Sequence, residues 1–159
     1  MHPSAEKVQR SLQQSGYHGK ILELEASTRT AVEAAQAAGC EVGQIVKSLV
    51  FLLETDGGQA PKPVLVLVSG SNRVHEKRLG TLLGGKLARA DADTVYAFSG
   101  FAIGGVPPVG HKTQLQTYID EDLLQYEDIW AAAGTPNAVF QISPQQLVQI
   151  SQGQVVCVK

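Results

Sequence analysis

Two apolar runs of strand length, Ser48-Leu49-Val50-Phe51-Leu52-Leu53 and Pro63 to Val68, constrain this chain more than anything else in it. Each is far shorter than the roughly 20 residues of a membrane span, and the connection from Thr55 to Pro63 carries the turn chemistry of Asp56-Gly57-Gly58. The arrangement predicts two strands joined by a hairpin-like connection. Around it the punctuation of the sequence predicts the remaining elements. Ser4 is the expected cap of a helix over Ala5 to Gln14 that Gly16 ends, and Lys20 to Glu25 alternates like a strand. Thr30 or Thr28 caps an alanine-rich helix, Ala31 to Ala38, stopped by Gly39, and a short helical turn at Val42-Ile45 leads into the first apolar run. A helix holding Val74, Leu79 and Leu82-Leu83, a strand Lys86 to Ala90, a helix from Asp91 or Asp93 to Ala97, and Leu115-Ile119 follow. The chain then gives a short helix at Glu121-Tyr126, strands at Asp128-Ala132 and Ala138-Ile142, a helix from Pro144 to Ile150, and a strand at Val155-Val158. Helices and strands mix without strict alternation, so the predicted fold is α+β, a single domain over residues 1–159 with a mixed, partly barrel-like central sheet flanked by helices.

Length and composition fit that expectation: 159 residues, 43% hydrophobic and 18% charged, suit one domain with one sizeable core. The polar, helical start at Met1 to Lys7 predicts a protein without a secretory signal. Cys40 and Cys157 follow no metal spacing and are expected as two buried, reduced thiols, in keeping with the cytoplasm. A net charge of -2 argues against a protein that coats nucleic acid but not against one that touches an RNA end. Arg73, Lys77, Arg78, Lys86 and Arg89 stand against the single acid Glu76 in one stretch. Such a run is most often a solvated face, and it gains meaning only beside other signs of an anionic ligand.

The sequence lacks a nucleophile elbow, a paired-histidine metalloprotease helix and a Walker-type loop, and its four histidines do not cluster. It therefore predicts neither a metal or other cofactor nor a covalent serine or cysteine intermediate. Lys47 is the one charge inside Ile45 to Phe51. Either its stem packs while the ammonium reaches water, or it points into a cleft and holds a carbonyl oxygen or phosphate. Gly104-Gly105-Val106-Pro107-Pro108-Val109-Gly110-His111 is either a stiff surface turn or a loop offering backbone amides to a developing oxyanion. His111 could be a general base, a ribose or phosphate contact, or a brace for the loop. Gly134-Thr135-Pro136-Asn137, among small residues, is a tight connection or space for a ligand.

Taken in order, Thr28-Arg29-Thr30-Ala31, Gln44 to Phe51, Gly104 to His111 and Gly134 to Phe140 resemble the YbaK/ProX (EbsC-like) family, related to the editing insertion domain of bacterial prolyl-tRNA synthetases. The likeness covers nearly the whole chain. It implies water-mediated cleavage of the ester between a wrongly attached small amino acid (Ala, Ser, Thr or Cys) and the terminal ribose of tRNA. It implies Lys47 for positioning and charge stabilisation, Gly104 and Gly105 as backbone donors, and His111 in support. Thr30, Gly134, Thr135 and Asn137 would meet the substrate, and Arg73, Lys77 and Arg78 the tRNA. The implied partners are the aminoacyl-tRNA acceptor end and a synthetase, with no membrane. Cysteine-editing members carry a serine near the Ala132 position and an aspartate near Val139, and alanine-editing members a histidine in the first place, so neither specificity transfers. Two other readings remain open: a non-catalytic module of the same fold that binds tRNA or a synthetase, and a hydrolase of another acyl ester or nucleotide conjugate.

Overall fold

The computed structural model describes residues 1–159. Its elements are α1 (Pro3–Gln14), β1 (Ile21–Glu23), α2 (Ala31–Ala38), β2 (Ile45–Thr55), β3 (Lys62–Ser69), α3 (Glu76–Leu82), β4 (Gly85–Arg89), α4 (Ala92–Ser99), β5 (Gln116–Asp120), β6 (Ile129–Ala132), β7 (Ala138–Ile142), α5 (Pro144–Ser151) and β8 (Gln154–Val156). Short 3-10 turns at Val42–Gln44 and Glu121–Gln125 complete it, the second in place of the expected short helix.

β2 and β3 pair antiparallel from Val46 opposite Ser69 to Leu53 opposite Lys62, the hairpin that the two apolar runs dictate. Both faces of the pair are covered over most of its length, so apart from Lys47, Ser48 and the strand ends its residues are apolar. One face carries the main core, where Val46, Val50, Leu65 and Leu67 meet Ala5, Val8 and Leu12 of α1 and Phe101 and Val106 of the loop between α4 and β5. On the other face Phe51, Val64, Val66 and Val68 pack with Leu79 of α3 and with Tyr118, Val156 and Val158. Complete burial of each of these leucines stabilises the fold by about 1.5–3 kcal/mol.

The strand order is β1-β7-β6-β2-β3-β5-β8, with β4 attached to β2 off that path. The sheet is mixed: β2 runs parallel to β6 and β3 to β5, while β4 and β7 pair antiparallel with their neighbours. The expected turn toward a barrel takes the form of a fork. On the edge away from β3, the start of β2 (Ile45 and Val46) pairs with β6, and its end (Phe51 to Thr55) pairs with β4. Between those partners no strand residue stands opposite Lys47, Ser48 or Leu49.

Local chemistry explains most boundaries. Thr30 accepts from the Glu33 amide at 3.1 Å and Gly39, at φ 72°, closes α2. α1 starts two residues earlier than expected, because Pro3 suits a first helical turn and His2, not Ser4, provides the cap. β2 extends back through Lys47 to Ile45, since a single charge does not end a strand whose neighbours are buried. β1 is shorter than its alternation suggested, and Val74 lies before α3. The thiols also depart from expectation: Cys40 is half-buried and Cys157 exposed. No helix is long and apolar enough to cross a membrane.

Candidate active site

The fork in the sheet is a cleft of about 410 Å³. Lys47, Ser48 and Leu49 form its back, Ala131, Ala132 and Val139 one wall, and the start of α2 with Gly104 of the Gly-Pro loop another. Three cations line it, Arg29, Lys47 and Arg89, and no carboxylate does. The site therefore favours an anionic ligand with a small apolar part.

Lys47 is held inside the cleft. Its Nζ donates to the Asn72 carbonyl at 2.6 Å, leaving two of its three donors for a ligand. Asn72 is itself fixed, because its Nδ2 donates to Asp120 at 2.8 Å and to Asp122 at 2.7 Å. Asp120 is wholly buried and also accepts from the Ser69 amide at 3.0 Å. Burial pushes the Lys47 pKa down, and the charges of Arg73 and Arg89 push it further the same way, against a smaller opposing pull from Asp120. A lysine held at this cost is a charge waiting for an anion.

Beside it, the Ser48 hydroxyl is the one buried side-chain oxygen or nitrogen with no hydrogen-bond partner in the protein. Ser48 stands opposite Leu67 on the main-core face of β2, while Lys47 stands opposite Val68 on the other face, so this hydroxyl is buried behind the cleft and not open to it. The Gly104 amide, also at the cleft, donates to no group in the chain. Gly104 has φ 95°, and a Cβ there would come within 2.7 Å of the Arg29 side chain. The loop can thus approach only as glycine.

Several expected residues take other parts. The Gly105 amide is already bonded to the Ala102 carbonyl at 3.1 Å, so it is not a free donor. Its carbonyl accepts from the Gly134 amide at 2.9 Å, and a Cβ at Gly105 would lie 2.9 Å from the Thr135 backbone. Gly105 is bare so that two loops can touch. Gly134 does not floor the cleft: it faces α1, where a Cβ would meet the Ser4 carbonyl oxygen at 2.7 Å. Thr135 donates to Asn137 at 2.9 Å and Asn137 to the Leu24 carbonyl at 3.0 Å, while Thr28 holds Pro136 through its carbonyl at 2.8 Å. Gly134, Thr135, Pro136 and Asn137 build the turn that carries the wall and do not line the cleft, whereas Thr28 does.

Thr30 does line it, with its hydroxyl oxygen occupied as the α2 cap. His111 is separated from Lys47. It lines a different hollow with Ser11 and Ser151, and its Nε2 bonds the Pro107 carbonyl of its own loop at 2.6 Å. Burial lowers its pKa, outweighing the Pro107 bond that raises it, with a further lowering from Lys7. It braces the loop from behind. Arg73 stands next to Lys47 in an adjoining hollow, while Lys77 and Arg78 are exposed on α3. Sequence reasoning missed Arg29 and Arg89 as cleft residues, because the pairing that places them is not local.

Fold and cleft together define a small α+β domain with a cation-lined cleft at a fork in its sheet. The chain belongs to the family of aminoacyl-tRNA editing domains, whose model matches residues 25–150. It is 52% identical to a solved candidate trans-editing enzyme for prolyl tRNA synthetase, covering 100% of this chain and 98% of that one with a TM-score of 0.91. A candidate Cys-tRNA(Pro)/Cys-tRNA(Cys) deacylase, EbsC of Enterococcus faecalis, is 29% identical over 79% of this chain and 74% of its own length. Proline--tRNA ligase of Limosilactobacillus fermentum is 35% identical over 59% of this chain, a match that spans only 16% of the ligase. The YbaK/EbsC-like family implied by the sequence motifs is the one these likenesses share.

Proposed function

We propose that the protein is a free-standing deacylase that hydrolyses the ester of a mischarged aminoacyl-tRNA carrying a small amino acid, working in the cytoplasm where tRNA is charged. The observation that carries this reading is a half-buried, desolvated Lys47 cation and an unspent Gly104 amide lining one cleft that has no carboxylate. The names of the relatives support it, and the match to part of a ligase supports a synthetase as a partner.

In this reading the terminal ribose and its aminoacyl group enter the fork. The amino-acid side chain lies against Ala34, Ala131, Ala132 and Val139, a wall suited to small residues such as Ala, Ser, Thr or Cys. Water attacks the ester carbonyl carbon, and the carbonyl oxygen becomes an oxyanion stabilised by the Lys47 ammonium and the free Gly104 amide. The bond from that carbon to the ribose oxygen then breaks. The proton lost by water reaches the departing oxygen through the neighbouring ribose hydroxyl, so no enzyme nucleophile is required. A deacylation screen of the purified protein against a panel of mischarged tRNAs tests the proposal. Turnover of at least one small-amino-acid ester is expected, and binding without turnover across the whole panel would make the protein a binding module instead.

A further inference from the structure

Next to the cleft lies a second hollow of about 380 Å³, lined by Lys47, Leu49, Phe51, Arg73, Val74, Glu76 and Arg89. It shares Lys47, Leu49 and Arg89 with the cleft, so the two are continuous across the outer face of β2. The pairing of Phe51 with Arg89 puts the Arg89 guanidinium over the Phe51 ring, 5.7 Å from its centre. That contact anchors the side chain and leaves its N–H fork unspent. Neither Arg89 nor Arg73 makes a salt bridge, for the protein's single ion pair joins Lys159 to Asp122. The one acid of the hollow, Glu76, pairs with neither. Three cations thus converge with their charge unmatched, and both arginines disfavour the charged form of Lys47. An anion between them would relieve all three.

We infer that Arg73 and Arg89 form a phosphate site that holds the phosphodiester joining the terminal nucleotide of the substrate to the one before it. The inference rests on the deacylase reading and adds a division of labour: the cleft takes the ester, and the hollow takes the first phosphate. Planar guanidinium forks suit a phosphate's oxygens, and the site gauges one nucleotide from the ester. Lys77 and Arg78 do not line the hollow.

The test compares one amino acid esterified to adenosine with the same amino acid esterified to the dinucleotide CpA, which adds a single phosphodiester. For the wild type kcat/KM is expected to be about tenfold or more higher on the dinucleotide. In the Arg73→Gln, Arg89→Gln double variant that ratio is expected to fall to about twofold or less. Lys86→Gln, in the same basic stretch but one residue off the face that carries Arg89, keeps the wild-type ratio. A wild type indifferent to the phosphate, or a double variant that keeps the preference, overturns the inference. Equilibrium titration with uncharged CpA and with adenosine reads the same site without chemistry, and tighter CpA binding that the double variant loses is the expected result. Failure to hydrolyse either ester would therefore sink the deacylase reading, while the titration still decides the phosphate site.

Discussion

Ser48 carries a buried hydroxyl with no hydrogen-bond partner, and His111 a half-buried ring bonded to the Pro107 carbonyl. Ser48 was one letter in an apolar run, and only its place opposite Leu67 shows a hydroxyl buried on the core face without a partner. Ser48→Ala removes an unsatisfied buried group, so melting temperature is expected to hold or rise. Deacylation is expected to stay close to the wild-type rate, because the hydroxyl is closed off from the cleft. A fall of about fivefold, the value of one ordinary hydrogen bond, would show instead that the hydroxyl reaches the substrate. His111 drew notice as a lone histidine in a glycine-rich loop, yet it holds Pro107 from the far side. Its folded pKa is depressed by burial, so its contribution to stability is full above the ordinary value of about 6.5 and is lost as pH falls through the lower folded value. Melting curves between pH 7.5 and 5 are expected to show a shallower acid loss for His111→Gln than for wild type. Equal slopes would mean that His111 titrates freely.

Among the elements, those set by local chemistry were legible: the β2–β3 hairpin from its Asp-Gly turn, α2 from Thr30 and Gly39, α5 from Pro144. The fork was not. It depends on two distant segments, β4 and β6, choosing the same edge of β2, and no residue of β2 announces that. The same limit misassigned the 134–137 turn. Small residues leave room for a ligand and equally let backbones touch, and here Gly105 and Gly134 serve the second purpose. Gly105→Ala is accordingly expected to cost about 1–3 kcal/mol of stability, because its Cβ would lie 2.9 Å from backbone that cannot swing aside. Thermal denaturation checks this, and an unshifted transition would show that the two loops part without cost.

At the scale of the whole molecule, a net charge of -2 hides a cationic face, since Arg29, Lys47, Arg73 and Arg89 gather at the fork and its adjoining hollow. The basic run was visible in the sequence, but which of its members reach the cleft was not, because that follows from the attachment of β4. Neutralising Arg73, Lys77 and Arg78 together is expected to flatten the salt dependence of tRNA binding by about one unit of slope per lost phosphate contact. An unchanged slope would leave these residues as a solvated face. The account as a whole stands on Lys47, whose charge is kept in the cleft against burial and two neighbouring arginines. Single-turnover deacylation of a mischarged tRNA by wild type and Lys47→Ala, with melting temperature measured alongside, tests it most directly. A rate loss of about 10²-fold or more with a nearly unmoved melting temperature is the predicted result. A Lys47→Ala protein that deacylates at close to the wild-type rate would contradict it.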